Sequence, residues 1–218
     1  MTTLNFEDIL NISFIIDEKN IRFLTHYTNI ANIENILKHG LMPISLLHNN
    51  NIKFYKNDSY RADYTDAICL NIEFPNYKLF YKNRINSNTD WAIIILNAKN
   101  ILCYLDVAFC RTNAANYYMS SIPIEQRKTL NSFLDMFYDN EEHNLRSALG
   151  IPDNYPTDPQ AEILVFEKID ISNIIEIQLD KQILVDKYKK LSPNLNFIFS
   201  DNLLKARKDY KYWSPHII

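Results

Sequence analysis

The order of apolar and polar segments predicts an α+β domain. Runs with strand character and runs with helix character follow one another without strict alternation, which argues against a doubly wound parallel sheet. The strand runs, such as "DAICLNIEF" and "WAIIILN", are short and bounded by polar residues or proline. With only 2 Gly in 218 residues, neither GxGxxG nor GxxxxGK[ST] can be written, so a nucleotide site must be built without a glycine-rich phosphate loop.

The elements follow in order. "IRFLTHY" (residues 21–27) reads as a strand and "NIANIENILKHGL" as the helix after it. Thr28 or Asn29 can cap that helix, and Ile30, Ile33, Ile36 and Leu37 form its apolar face. Gly40 suits the positive-φ position past its end, and Leu41 can pack back. Residues 49–60 are polar and read as loop. In "DAICLNIEF", Ile68, Leu70, Ile72 and Phe74 alternate with Cys69, Asn71 and Glu73, predicting a strand with one buried face that ends at Pro75. "NYKLFYKNR" reads as a short helix and "WAIIILN" as a buried strand. "PIEQRKTLNSFLDMFYDN" reads as one helix with Leu130, Phe133, Leu134 and Phe137 on its face. Residues 140–159 read as a long polar loop. Strands "AEILVFEKI" and "IIEIQL", helix "DKQILVDKYKKL" and strand "NFIFS" complete the chain. With no repeat and no Gly/Ser/Pro-rich linker, residues 1–218 read as a single domain.

Composition removes several classes of function. Hydrophobic residues make up 47% and charged residues 22%, as in ordinary globular domains. A net charge of −3 argues against broad non-specific grip on duplex DNA, but leaves room for a local basic groove. Cys69, Cys103 and Cys110 are odd in number and lack CxxC spacing, which points to reduced cytosolic thiols without structural zinc. Cys69 and Cys103 fall in apolar, strand-like runs and read as buried structural thiols. The five histidines contain no HxxxH pair, so no metal is expected. "MTTLNFEDILNISF" has no signal-peptide character, and no run reaches membrane-spanning length. A cytoplasmic protein is the expectation.

Polar residues at element boundaries remain: "THYTN" (residues 25–29) at a strand-to-helix junction, Arg61 before a strand, and Glu162 opening a late strand. Singly, each has a bland explanation as a hydrogen-bonded or solvated strand end. The segment "CRTNAANYYMS" combines Arg111, Asn113, Asn116, Tyr117 and Tyr118, a set of charge, amides and rings suited to an exposed single-stranded base. Its bland reading places one of the tyrosines in the core.

Taken in order, "LTHYTNIANIENILKHGLMP", the Arg61 segment running into "AICLNIEFPNYKLFYKNR", "FCRTNAANYY" and "TDPQAEILVFEKI" resemble the DarT family of DNA ADP-ribosyltransferases. The resemblance runs roughly from Leu24 to Ile169. It implies an ADP-ribosyltransferase-like split β-sandwich with peripheral helices, with NAD as ADP-ribose donor bound in a cleft between two small sheets. It makes Glu162 the catalytic carboxylate and Arg61 a residue that contacts NAD and takes part in catalysis. His26, Tyr27 and Thr28 become the NAD-binding segment, with His26 on a ribose hydroxyl. A guanidinium is a poor base, which favours an orienting role for Arg61. The loop before Glu162 would recognise the acceptor, making His143 and Arg146, with Arg111 and Asn113, substrate-binding candidates. Pro156 and Pro159 would stiffen that loop. The acceptor implied is a base of single-stranded DNA, guanine or thymine. The surroundings of Arg61 depart from the thymidine-modifying pattern, and "NIEFPNYKLFY" is more like a branch for which guanine fits. A toxin paired with an ADP-ribose-removing macrodomain antitoxin is the biological expectation. The alternatives are transfer to RNA or protein, an inactive NAD- or nucleic-acid-binding module, and a structural protein whose boundary charges are solvated.

Overall fold

A computed structural model describes residues 4–56, 66–139, 145–200 and 202–213. Arg61 and His143 lie outside the described residues. Helix α1 (Phe6–Glu18) begins at Asn5, whose side chain accepts the Asp8 N–H at 2.8 Å, and it buries Ile12 and Ile16. Strand β1 (Phe23–Asn29) leads through a 3₁₀ turn into α2 (Ile33–His39). Asn29 caps this unit by accepting the Ala31 N–H at 2.9 Å. Gly40 adopts φ +78°, and a Cβ there would lie 2.3 Å from the Ile169 carbonyl oxygen. Both facts demand glycine, because the backbone must pass close to residue 169 before Leu41 bridges to it.

After α3 (Ile44–Asn49) come β2 (Ile68–Ile72), α4 (Tyr77–Ile85), β3 (Trp91–Asn97), α5 (Ala98–Tyr104) and β4 (Val107–Cys110). Then follow α6 (Tyr117–Ser121), α7 (Leu130–Asp135), α8 (Leu145–Leu149), β5 (Glu162–Val165), β6 (Ile174–Leu179), α9 (Gln182–Leu191), β7 (Phe197–Phe199) and α10 (Tyr210–Trp213).

Several elements differ from the sequence pattern. Cys103 lies on α5, not in a strand, because Asn97 caps a helix there by accepting the Asn100 N–H at 2.9 Å. The helix expected from Pro123 onward is broken: a 3₁₀ turn ends near Lys128, and Thr129 caps α7 afresh by accepting the Ser132 N–H. Residues 140–159 contain α8, so this segment is not all loop. In β2 both faces are buried, including Asn71 and the adjoining Glu73, where one buried face was expected. Alternation signals two faces of different polarity, but it does not show whether a polar face is covered by other parts of the chain.

The strands form one sheet in the order β4-β5-β2-β1-β3-β6-β7, antiparallel except for β6 and β7. Its middle is split. β1 pairs with β3 from Phe23 to Asn29, but with β2 only at Leu24↔Ile72 and Thr25↔Asn71. The join is reinforced by buried Glu73, which accepts hydrogen bonds from the Arg22 and Phe23 backbone N–H groups and pairs with the Arg22 guanidinium at 2.7 Å. Glu73 is held at φ +58° to do this. Beyond Thr25 the two strands part. The main core, with Leu24, Ile94, Phe109, Phe133 and Ile163, lies on one side of the sheet against α1, α5 and α7. Among the described residues no helix is long and apolar enough to cross a membrane.

Candidate active site

A cavity of about 270 Å³ opens where β1 and β2 part. His26, Tyr27 and Thr28 line it from β1, Cys69 and Asn71 from β2, and Asn113 and Glu162 from the far half of the sheet. The His26 Nδ1 lies 2.9 Å from the Cys69 carbonyl oxygen, so the imidazole spans the gap that the β1–β2 ladder leaves. Burial holds the His26 pKa below its ordinary value, and the Cys69 hydrogen bond only partly opposes this. A neutral imidazole facing a carbonyl must carry its proton on Nδ1, which leaves Nε2 as a hydrogen-bond acceptor. Strand alternation sends the Tyr27 ring to the other face, where it stacks on Phe80 at 4.6 Å.

Glu162 is buried, although it opens a strand. Its Oε1 accepts from Asn113 Nδ2 at 3.1 Å and its Oε2 from the Ala114 backbone N–H at 2.8 Å. Two donors from one loop therefore fix the carboxylate's direction and complement its charge. The register Cys110↔Glu162 places that loop directly after the strand that pairs with β5.

The approach to Glu162 is held by two arginines. Arg146 on α8 donates to the Tyr155 carbonyl and Thr157 Oγ1 through Nη1 (2.8 and 2.9 Å) and to the Pro152 carbonyl through Nη2 (2.8 Å). Burial lowers its pKa. Arg207, near the C-terminal end, donates to the Pro156 and Thr157 carbonyls at 2.7 and 2.9 Å, and it pairs with buried Asp209. Trp213 Nε1 donates to Asp209 at 2.8 Å. Pro156, whose carbonyl Arg207 holds, and Pro159 are both buried. Arg146 thus spends its guanidinium on its own loop and does not line the cavity around Glu162. Arg111 is exposed and meets Asp135 at 3.4 Å. It lines a second, polar cavity of about 250 Å³ with Thr157, Asp158 and Trp213.

Sequence reasoning missed three contributors. Asn32 bonds Thr28 Oγ1 at 2.9 Å and both backbone groups of Tyr55, tying the 53–56 segment to the cavity wall. Asn71 donates to the Ala161 carbonyl at 2.9 Å and accepts the Asn76 N–H at 3.0 Å, so it fixes the residue just before Glu162. Arg207 lies in a region without a recognisable motif. For Asn32 the available signal was a polar residue inside an apolar helical pattern; for Arg207 there was none. Among the described residues no cluster of His, Cys, Asp or Glu could hold a metal ion.

The split sheet carries a buried, doubly bonded carboxylate on one lip and a histidine on the other, and its fold is that of the ADP-ribosyltransferases it matches. A sequence model described as "ssDNA thymidine ADP-ribosyltransferase, DarT" matches residues 25–198, and the chain belongs to that family. Among solved structures it is similar to Thermus sp. 2.9 DarT in complex with ADP-ribosylated ssDNA (TM-score 0.57, 14% identity, 85% of this chain and 97% of that one). It is also similar to the same organism's DarT in complex with NAD+ (TM-score 0.52, 16% identity, 85% and 98%). A third similar structure is Thermosipho africanus DarTG in complex with ADP-ribose (TM-score 0.51, 19% identity, covering 84% of this chain); the present chain spans about half of that one, 51%. No curated protein matches by sequence.

Proposed function

We propose that this chain transfers ADP-ribose from NAD to a base of single-stranded DNA. The observation that carries the reading is Glu162, buried in the sheet's split and aimed by Asn113 and Ala114 into the cavity that His26 also lines. In this reaction a nitrogen of the acceptor base that carries a proton bonds to C1′ of the nicotinamide ribose. The bond from C1′ to nicotinamide breaks, nicotinamide leaves with the electron pair, and the base gives up a proton. Positive charge develops on the ribose as that bond stretches, as in glycoside cleavage. A fixed carboxylate stabilises such charge without having to reorganise. Glu162 can also take the proton from the acceptor. The unprotonated Nε2 of His26 accepts a hydrogen bond from a ribose hydroxyl, and the β1 segment at Tyr27 and Thr28 seats the nicotinamide end. Arg61 belongs to this reading as the residue that orients NAD. His143, Arg146, Arg111 and Asn113 belong to it on the acceptor side, with Arg146 acting through the loop it holds.

The family's description favours thymine as the acceptor, and the departure of "NIEFPNYKLFY" keeps guanine beside it. The biological reading is a cytoplasmic toxin countered by a macrodomain antitoxin that removes ADP-ribose. The test uses labelled NAD with single-stranded DNA, RNA and bulk protein in separate reactions. Label should enter DNA, and nucleoside mass spectrometry of the product should show one modified base, thymidine or deoxyguanosine. Label in RNA or protein alone would overturn the DNA reading. Glu162→Gln should lower transfer by about 10²–10³-fold or more in a chain that still folds, with Tm lowered only modestly because one of the two buried donors loses its acceptor.

A further inference from the structure

Tyr117 and Tyr118 are 90% and 61% exposed, so neither fills the core. They sit on α6, two and three residues beyond Ala115, which lines the main cavity, and shortly after the two groups that hold Glu162. The helix under them is well anchored. Asn116 caps it by accepting the Tyr118 N–H at 2.9 Å, and Met119 is buried with Ala114, Cys110 and Leu164. Among the described residues neither ring meets another ring and neither hydroxyl is hydrogen-bonded. Single exposed aromatics are ordinary on protein surfaces. Two adjacent rings on a pinned turn, continuous with a catalytic lip, are a different arrangement. On the other side of Asn113, exposed Arg111 makes only a long, solvent-facing contact with Asp135, a kind of pair that holds a guanidinium weakly.

We propose that Tyr117 and Tyr118 form a stacking platform for bases of the single-stranded acceptor that flank the modified base, with Arg111 taking a neighbouring phosphate. The inference rests on the proposed transfer to single-stranded DNA and adds the path the strand follows. A platform on ring faces tolerates any base, so it supplies affinity more than sequence preference. The side of the cavity lined by His26 and Thr28 is left to NAD.

The experiment measures binding of a short fluorescein-labelled, mixed-sequence single-stranded oligonucleotide by anisotropy in the Glu162→Gln background, together with steady-state transfer by the otherwise wild-type chain. Tyr117→Ala and Tyr118→Ala should each weaken binding and raise KM for DNA by roughly 5- to 150-fold. KM for NAD and Tm should hold, and Tyr→Phe or Tyr→Trp should restore DNA binding. A Tyr117→Ala/Tyr118→Ala chain that binds DNA within about twofold of its parent overturns the platform. If the wild-type chain labels no DNA yet the Ala variants still lose oligonucleotide binding, the transfer reading fails and the platform stands. If wild type labels DNA and the double variant keeps its KM for DNA, the platform fails and the transfer reading stands.

Discussion

On the β1 side of the cleft, most polar groups come from near neighbours in sequence: His26 and Thr28 share one strand face, and Asn32 reaches Thr28 from four residues away. On the β5 side they come from far along the chain. Asn113 and Ala114 hold Glu162 across 49 and 48 residues, Asn71 holds Ala161 across 90, and Arg207 holds Thr157 across 50. A strand and its following helix can place groups such as Thr28 and Asn32 by local geometry alone. The carboxylate's position exists only once β4, β5 and β2 have paired and the C-terminal segment has docked. The cleft therefore joins a locally built wall to a wall that depends on closure of the whole fold, and perturbations of the two should read out differently.

The largest expected effect is on the second wall. Arg207→Ala leaves Asp209 buried without its cation and frees two loop carbonyls, and it should destabilise the chain by about 3–5 kcal/mol in denaturant unfolding. Burial alone would raise the Asp209 pKa, but Arg207 and Trp213 hold it below the ordinary 3.8. That contribution is therefore present above pH 3.8 and lost as pH falls through the folded-state value. A loss below about 1 kcal/mol would mean that the C-terminal clamp is not what holds the loop.

A smaller effect separates the walls directly. Asn71→Ala and Asn32→Ala each strand buried or half-buried polar groups, and each should cost about 1–3 kcal/mol. The catalytic consequences should differ. Asn71→Ala should lower kcat, because it loosens the residue before Glu162, whereas Asn32→Ala should raise KM for NAD. Equal effects on both parameters would erase the distinction.

The smallest effect is the pH response of the first wall. His26 titrates below its ordinary 6.5 in the folded chain, so between 6.5 and that lower value the unfolded state binds more protons. The His26 contribution to stability should be flat above pH 6.5 and decline below it, read as the difference between wild type and His26→Gln. KM for NAD should rise only at still lower pH, as the folded-state imidazole gains its proton and Nε2 ceases to accept. A KM change centred at or above 6.5 would show that the half-buried imidazole is not held neutral in the folded chain.

Much of the fold was legible because its signals are local. The strand runs at residues 21–27, 68–74 and 91–97, the cap at Asn29 and the glycine at position 40 each depend on periodicity or on backbone preference within a few residues. The break at Thr129 was hidden because a 3₁₀ turn and a helix share nearly the same apolar spacing. The burial of Asn71 and Glu73 was hidden because a polar strand face looks alike whether water or protein covers it.

The same division holds at the site. The sequence by itself determined the absence of a glycine-rich phosphate loop, the β1-to-α2 unit that carries His26, and a carboxylate at the opening of β5. These follow from composition and from interactions short in sequence. Only the tertiary structure decided that Glu162 is buried and aimed, that His26 bridges the split to Cys69, that Tyr117 and Tyr118 point outward, and that Arg207 holds the loop before Glu162. Hydrogen bonds across 43 to 90 residues leave no periodic trace in the chain, because their partners meet only when the sheet has closed around them.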